Sequence, residues 1–189
     1  MITMHKTLTF LLITFFLVPV APVRADDGYK LWLRNETETD RAYLKECGRR
    51  FENVMITGKS PVLRTAHDEF IAGLSELTGL KIREVNSLEG RGLVVAGTFS
   101  SSPYVASLLP DVIPGTTGEE GFIIRSVRQG RRDITVVASE GDRGVLYGLF
   151  HLLRIIGTES PLDNLDITEK PATALRLLNH WDNLDGSVE

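Results

Sequence analysis

Apolar positions recur with helical spacing in two segments of the chain, and the first lies near residues 60–79. Residues three and four positions apart share one face of a helix. The residues with this spacing are Leu63, Ala66, Phe70, Leu74 and Leu77. Ser60 and Pro61 stand where a cap and a first-turn proline belong, and Gly79 stands just past the last turn. The segment therefore predicts an amphipathic helix with defined ends.

The second helical segment runs from about Asp142 to Ile156 and is more apolar than the first. Its apolar residues are Val145, Leu146, Leu149, Phe150, Leu152, Leu153 and Ile156. A stripe of this width predicts a helix packed deeply against a sheet. Ser139 and Asp142 form a loose S-x-x-D capping pattern, and Gly157 is expected to end the helix.

Shorter apolar runs, rich in branched and aromatic residues, predict strands. They lie at residues 29–33, 53–57, 93–97, 122–127 and 134–138. Gln129–Arg132 separates the last two runs and predicts a β-hairpin. Residues 41–51 fit a weak helix or a loop, and residues 103–109 fit a short helix that Pro110 stops.

The order of these elements predicts the fold class and the domain organisation. Strands alternate with helices, which indicates an α/β fold (an α+β layer): one mixed β-sheet with helices packed on it. We assign this domain to residues 26–160. Residues 161–174 are polar and proline-bounded between Pro161 and Pro171, which predicts an inter-domain linker. Residues 175–181 then resemble a new strand, followed by a loop over residues 182–186.

The N-terminal 25 residues predict a secretory signal peptide. Lys6 supplies a positive charge, an 11-residue apolar run follows at Leu8–Val18, and Val23-Arg24-Ala25 places small residues where a signal peptidase cleaves. The run is shorter than the roughly 20 residues that span a bilayer. We therefore expect cleavage after Ala25, no membrane span in the mature chain, and a secreted or periplasmic protein. A retained N-terminal anchor is the alternative.

Composition and charge exclude several classes of protein. The 189 residues are 42% hydrophobic and 24% charged, as in soluble globular domains, which excludes a disordered, collagen-like or multi-span membrane chain. The formal net charge of −4 argues against a nucleic-acid partner. The one basic cluster is expected at a solvated hairpin tip and consists of Arg125, Arg128, Arg131 and Arg132. Cys47, the only cysteine, forms no intrachain disulfide and is expected to be a small apolar core residue.

The densest group of polar and aromatic residues is His180–Gly186, near the C-terminus of the sequence. Trp, His and Asp at a strand end could stack on and hydrogen-bond a sugar. The same residues also fit a capped turn in which Asn and Asp bond their own backbone. No metal-ligand spacing joins His67, His151 and His180. We expect no metal and no cofactor, and local motifs alone name no reaction.

Three stretches resemble glycoside hydrolase family 67, the xylan α-glucuronidases. Gly141–Phe150 (GDRGVLYGLF) resembles the accessory domain that precedes the barrel in several glycoside hydrolases, including β-hexosaminidases and α-glucuronidases. Leu177–Glu189 (LLNHWDNLDGSVE) is more specific and is similar to the start of the family 67 barrel. Gly28–Arg34 (GYKLWLR) is similar to the first strand of that family's N-terminal domain.

The resemblance implies an α/β N-terminal domain at residues 26–160 and, at residues 175–189, the first strand and loop of a truncated (β/α)₈ barrel. The family removes (4-O-methyl-)glucuronic acid from xylooligosaccharides or glucuronoxylan fragments by inversion. Its catalytic carboxylates come from later barrel strands, and no position here matches them. The resemblance therefore implies no catalytic residue in this chain.

The residues that the resemblance places near the sugar pocket are Trp181, Asp182 and Asn183, in the first barrel loop. The alternative function is a stand-alone exported carbohydrate-binding or scaffold module, which should present several exposed aromatic side chains. An unrelated exported interaction domain is a third possibility.

Overall fold

The structure is a computed structural model that describes residues 40–173 and 175–177. The predicted signal peptide and the predicted strand at residues 29–33 lie outside the described residues. Within the described part, no helix is both long and apolar enough to cross a membrane.

The uncertain segment near residue 41 is a helix, α1 (Arg41–Phe51). The Asp40 carboxylate accepts hydrogen bonds from the backbone N–H groups of Ala42 (2.7 Å) and Tyr43 (3.4 Å), so the first turn is capped. Cys47 and Phe51, one turn apart, are both buried in the core. This confirms the prediction that Cys47 fills apolar space, and tertiary packing of this face explains why a weak helical pattern forms a helix.

The first predicted helix, α2 (Pro61–Thr78), begins and ends where the sequence places it. The Ser60 hydroxyl accepts a hydrogen bond from Leu63 N–H at 3.1 Å. Gly79 has a φ of +66° and donates its N–H to the Ser75 carbonyl oxygen at 2.8 Å. A left-handed residue at this position is most easily a glycine.

The described residues form one six-stranded sheet in the order β2–β1–β3–β5–β4–β6. The strands are β1 (Asn53–Ile56), β2 (Arg83–Glu84), β3 (Leu93–Thr98), β4 (Phe122–Gln129), β5 (Arg132–Ser139) and β6 (Asp166–Glu169). β2, β1, β3 and β5 pair in parallel, whereas β4 is antiparallel to both β5 and β6. The mixed sheet and the β4–β5 hairpin, with Gly130 in its turn at a φ of +64°, confirm the predicted fold class.

Helices and loops cover both faces of the sheet. Alternate residues of a strand point to opposite faces, and β3 is apolar on both: Val94 and Ala96 join the helices α1, α2 and α4 (Asp142–Gly157), while Leu93 and Val95 join α3 (Pro103–Leu108). Strands that are buried on both faces have continuous apolar stretches in their sequences. The core is therefore two layers of side chains separated by the sheet.

The second predicted helix, α4, is confirmed, but its predicted cap is wrong. Gly141 is the N-cap residue and makes no side-chain cap hydrogen bond. The Ser139 hydroxyl instead donates to the Gly121 carbonyl oxygen at 2.6 Å and accepts from Gly141 N–H at 3.2 Å. Ser139 thus joins two loops at the end of the sheet, because it lies at the end of β5. Gly157 is the last helical residue and Thr158 is the C-cap.

The segment predicted as an inter-domain linker contains a strand that the sequence did not predict. β6 pairs with β4 along the edge of the sheet, with Phe122 opposite Glu169 and Arg125 opposite Asp166. Leu162 and Leu165, just before β6, are buried in the core. After β6, residues 175–177 are not in a strand, and Leu175 and Leu177 are 73% and 82% exposed. The rest of the strand predicted at residues 175–181 lies outside the described residues.

Candidate functional site

The residues predicted to contact sugar, Trp181, Asp182 and Asn183, lie outside the described residues, and so does His180. The described part that comes nearest to them along the chain is Leu175–Leu177. A surface groove lies at this place, between the start of α4 and the edge of the sheet.

Helix α4 is held unusually close to the β4–β5 hairpin by its glycines. A Cβ atom at Gly144 would lie 2.0 Å from Ser139 Oγ and 2.2 Å from the Gly121 carbonyl oxygen, and one at Gly148 would lie 2.6 Å from Val137 Cγ1. The G-x-x-G-x-x-x-G spacing of residues 141–148 therefore serves packing. It also fixes the solvent-facing residues of the same turns, Arg143 and Tyr147.

One of the carboxylates that line the groove belongs to Glu120, whose side chain is only 20% exposed. Its Oε1 lies 2.9 Å from Arg143 Nη1, and its Oε2 pairs with Arg176 Nη2. The Arg176 guanidinium also lies over the Tyr147 ring, 6.0 Å from its centroid. A carboxylate that is largely withdrawn from water is thus satisfied by two guanidinium groups, one on each oxygen.

The groove has a volume of about 420 Å³ and is lined by both apolar and charged side chains. Phe122, Tyr147 and Pro171 line it together with Glu169 and Lys170. Tyr147 is the only aromatic side chain of the exposed class among residues 40–173 and 175–177, at 38% exposure. Because Arg176 covers this ring, the groove offers no row of open aromatic faces for a sugar.

A second cavity, of about 360 Å³, lies where β3 and β5 end. Ligands of open α/β sheets bind beyond the carboxyl ends of strands, and here that edge carries Glu119, Glu140 and Asp142 beside Arg143. Glu140 Oε1 accepts the Gly115 N–H at 2.6 Å, which ties the preceding loop to this edge. In the described residues, no group of three or more His, Cys, Asp and Glu side chains could hold a metal ion.

The two described histidines lie on helices, as predicted, and have opposite pKa shifts. His67 Nδ1 and Nε2 lie 2.9 Å from carboxylate oxygens of Asp68 and Glu84, and the hydrogen bond to Asp68 is the main cause of its raised pKa. The pKa of His151 is lowered, first by burial and then by the nearby charge of Arg154. His67 joins α2 to the edge strand β2, which is a structural role.

The predicted basic cluster is only partly a solvated hairpin tip. Arg128 and Arg131 are exposed there, as expected. Arg125 lies further along β4, where its guanidinium bonds Asp111 at 2.9 Å and Asp166 at 2.8 Å. The two carboxylates raise its pKa, mainly through the hydrogen bond to Asp166. This residue joins the loop after α3 to the edge strand β6.

The sequence did not identify Glu120 or Arg176 as site residues. They are 56 positions apart, so no local pattern relates them. The only available signal was the four-residue spacing of Arg143 and Tyr147, which places both on one face of α4.

The curated relatives of this chain are fungal α-glucuronidases. The "Probable alpha-glucuronidase A" of Aspergillus oryzae is 27% identical over 186 residues, covering 96% of this chain. The "Alpha-glucuronidase" of Hypocrea jecorina is 25% identical over 186 residues, covering 94% of this chain. The chain spans 21% of the length of each.

Among solved structures, the chain is similar to a family GH115 4-O-methyl-alpha-glucuronidase with specificity for decorated arabinogalactans. That match has a TM-score of 0.47 and 19% identity, and it covers 57% of this chain and 13% of the other. A GH138 enzyme targeting pectin rhamnogalacturonan II matches with a TM-score of 0.46 and 18% identity, over 65% of this chain and 12% of the other.

Two family models cover most of the sequence. The model of the glycosyl hydrolase family 67 N-terminus matches residues 31–152, which include α1 to β5 and most of α4. The model of the family 67 middle domain matches residues 155–189. The first match alone spans more than half of the chain, and the chain therefore belongs to glycosyl hydrolase family 67.

Proposed function

We propose that this chain is the N-terminal, non-catalytic region of an exported α-glucuronidase that removes (4-O-methyl-)glucuronic acid from xylooligosaccharides. The observation that carries the proposal is the match of residues 31–152 to the N-terminal family model, on a chain spanning 21% of its α-glucuronidase relatives. The substrate class rests on the resemblance of residues 177–189 to the start of the family barrel. The carbohydrate partner is a xylooligosaccharide or a glucuronoxylan fragment.

The described structure supports a bracing role for the α/β domain. A glycosidase needs two carboxyl groups about 5–9.5 Å apart on either side of the scissile bond. Of the two carboxylates that line the groove, Glu120 is already paired with Arg143 and Arg176. Both faces of the sheet are packed against helices and loops of the same domain, which supports a structural role.

The deciding experiment compares the purified chain with the same chain extended by a family barrel, supplied in cis or in trans. We expect release of glucuronic acid from aldouronic acids only when the barrel is present. The barrel without this chain is the matched control. Release of glucuronic acid by the chain alone would contradict the proposal, because it would require a catalytic pair within these residues.

We also propose that Trp181, with Asp182 and Asn183, contacts the sugar in the complete enzyme. The support is the resemblance of this stretch to the first barrel loop, where an aromatic face can stack on a pyranose. Trp181→Ala should then weaken substrate binding by about 1–3 kcal/mol, the scale of burying one large side chain. Trp181→Phe, which keeps a ring, is the control. An unchanged KM and kcat in Trp181→Ala would assign the residue a structural role.

Export is the third element of the proposal, with a signal peptide at residues 1–25, a mature N-terminus at Asp26, and a secreted or periplasmic location. The apolar run at Leu8–Val18 and the small residues before position 26 support it. N-terminal sequencing of the exported protein should begin at Asp26. An intact Met1 would contradict this part of the proposal and favour a retained anchor.

The rival function, a stand-alone carbohydrate-binding module, is less well supported by the described residues. Such a module presents several exposed aromatic rings, whereas here Tyr147 is exposed and lies under Arg176. Retardation of the purified chain in a xylan-containing native gel, abolished by Tyr147→Ala, would favour the module. Unchanged mobility would favour the bracing domain.

A further inference from the structure

The groove beside α4 contains an arrangement that neither the family match nor the proposed activity explains. Glu120, Arg143 and Tyr147 belong to the region matched by the N-terminal model, whereas Arg176 belongs to the region matched by the middle-domain model. Contacts from Glu120 and Tyr147 to Arg176 therefore join the two matched regions directly. We call these four residues the Glu120 cluster.

We propose that Glu120 is an anchor that holds Arg176 and thereby fixes where and in which direction the polypeptide leaves the α/β domain. Glu120 is a positioning residue in this proposal. The inference goes beyond the proposed function and does not depend on it, because it concerns contacts within this chain.

The proposal rests on the way in which the two oxygens of the Glu120 carboxylate are paired. Arg143 is fixed on α4, and it holds Oε1 of Glu120 at 2.9 Å. The second oxygen, Oε2, is left to bind Arg176. With both guanidinium groups in place, the Glu120 side chain is only 20% exposed, so the two pairs together shield this carboxylate from water.

The Tyr147 ring restricts Arg176 further. The guanidinium lies over the Tyr147 ring, where the negative face of the ring attracts a cation. Leu175 and Leu177, on either side, are 73% and 82% exposed, so these neighbours contribute little packing of their own. The side chain of Arg176 is therefore the main contact that holds this part of the chain.

Trypsin tests the anchor directly, because the protease must bind the Arg176 side chain in its own specificity pocket before it cleaves the Arg176–Leu177 bond. The initial rate of this cleavage follows the fraction of molecules in which Arg176 has left Glu120. Arg131, exposed at the turn between β4 and β5, provides an internal reference in the same digest.

Glu120→Gln keeps the size of the side chain and removes its charge. We expect cleavage after Arg176 to accelerate by about two- to fivefold, the scale of a partly exposed ion pair, with cleavage after Arg131 unchanged. The matched control is Glu169→Gln, since Glu169 lines the same groove and has no ion pair with any residue of the described ranges. This control should cleave at the wild-type rate.

Arg143→Gln separates the anchor from general destabilisation. It removes the guanidinium on Oε1 and leaves the charged carboxylate and its Oε2 in place for Arg176, so cleavage after Arg176 should be no faster than in the wild type. Wild-type cleavage in Glu120→Gln would overturn the proposal. An equal acceleration after Arg131 and Arg176, or acceleration in Arg143→Gln, would overturn it too, since the effect would then be a loosening of the whole domain.

Discussion

Replacing Gly144 by alanine tests whether the close approach of α4 to the sheet is what the G-x-x-G-x-x-x-G stretch specifies. In an ordinary helix this change is favourable, because alanine exceeds glycine in helix propensity by about 1 kcal/mol. Here the added Cβ would lie 2.2 Å from the Gly121 carbonyl oxygen and 2.0 Å from Ser139 Oγ. Atoms this close must move apart, and one of them belongs to the backbone.

The gain in helix propensity stabilises the variant and the clash of the added Cβ destabilises it, so the packing around Gly144 decides which effect is larger. Overpacking of a filled core costs about 1–3 kcal/mol. Displacing Ser139 also disturbs its 2.6 Å hydrogen bond to the Gly121 carbonyl, and a lost buried bond costs about 1 kcal/mol more. After the gain in propensity is subtracted, we expect Gly144→Ala to lower the free energy of unfolding by about 1–3 kcal/mol.

Gly48→Ala is the matched control, because Gly48 is also a helical glycine but its added Cβ would have only Leu80 Cδ2 nearby, at an ordinary 3.6 Å. This variant should gain about 0.5–1 kcal/mol from propensity. Urea unfolding followed by circular dichroism measures both changes, and a loss of 2 kcal/mol shifts the midpoint by about 1 M. A Gly144→Ala protein as stable as the wild type, beside a stabilised Gly48→Ala protein, would refute the packing argument.

Three further predictions concern the core, a histidine and an arginine. Leu149→Ala should lower the free energy of unfolding by about 2–5 kcal/mol, because Leu149 is fully buried between α4 and the sheet; an unchanged urea midpoint would contradict this packing. The pKa of His67 is raised in the folded state, so its ion pairs add to the free energy of unfolding below the unfolded pKa of 6.5. This stabilisation is lost as the pH rises through the folded pKa. His67→Gln should thus destabilise the protein at about pH 5.5 and not at about pH 9, and equal losses at both would exclude an ionic role. Arg125→Met should cost about 1 kcal/mol at low salt and less at high salt, since its pairs with Asp111 and Asp166 are partly exposed; a loss independent of salt would indicate apolar packing instead.

Local chemistry in the sequence determined the ends of α2 and the position of the hairpin. Ser60, Pro61 and Gly79 define α2 because capping and the left-handed φ involve residues only a few positions apart. The apolar runs at residues 93–97 and 134–138 likewise predicted the strands β3 and β5. The family, too, was indicated by residues 141–150 and 177–189 and is confirmed by the match to the family models.

Tertiary structure decided the elements whose partners are distant along the chain. β6 is four residues long, and three of them are polar or charged, so it has no strand pattern of its own; it forms because β4 offers an unpaired edge. α1 was ambiguous until burial of Cys47 and Phe51 stabilised it. Ser139 was misassigned as a cap because its partner, Gly121, lies across the hairpin.

In the Glu120 cluster, too, some relations between residues follow from the local sequence and others only from tertiary packing. The sequence places Arg143 and Tyr147 on one helix face, because that relation depends only on helical spacing. The pairing of Glu120 with Arg176 depends on how closely α4 lies on the sheet, which is set by the glycines at 144 and 148, and on where the chain passes after β6. A contact that requires several elements to be packed before its two atoms can meet is decided by the tertiary structure alone.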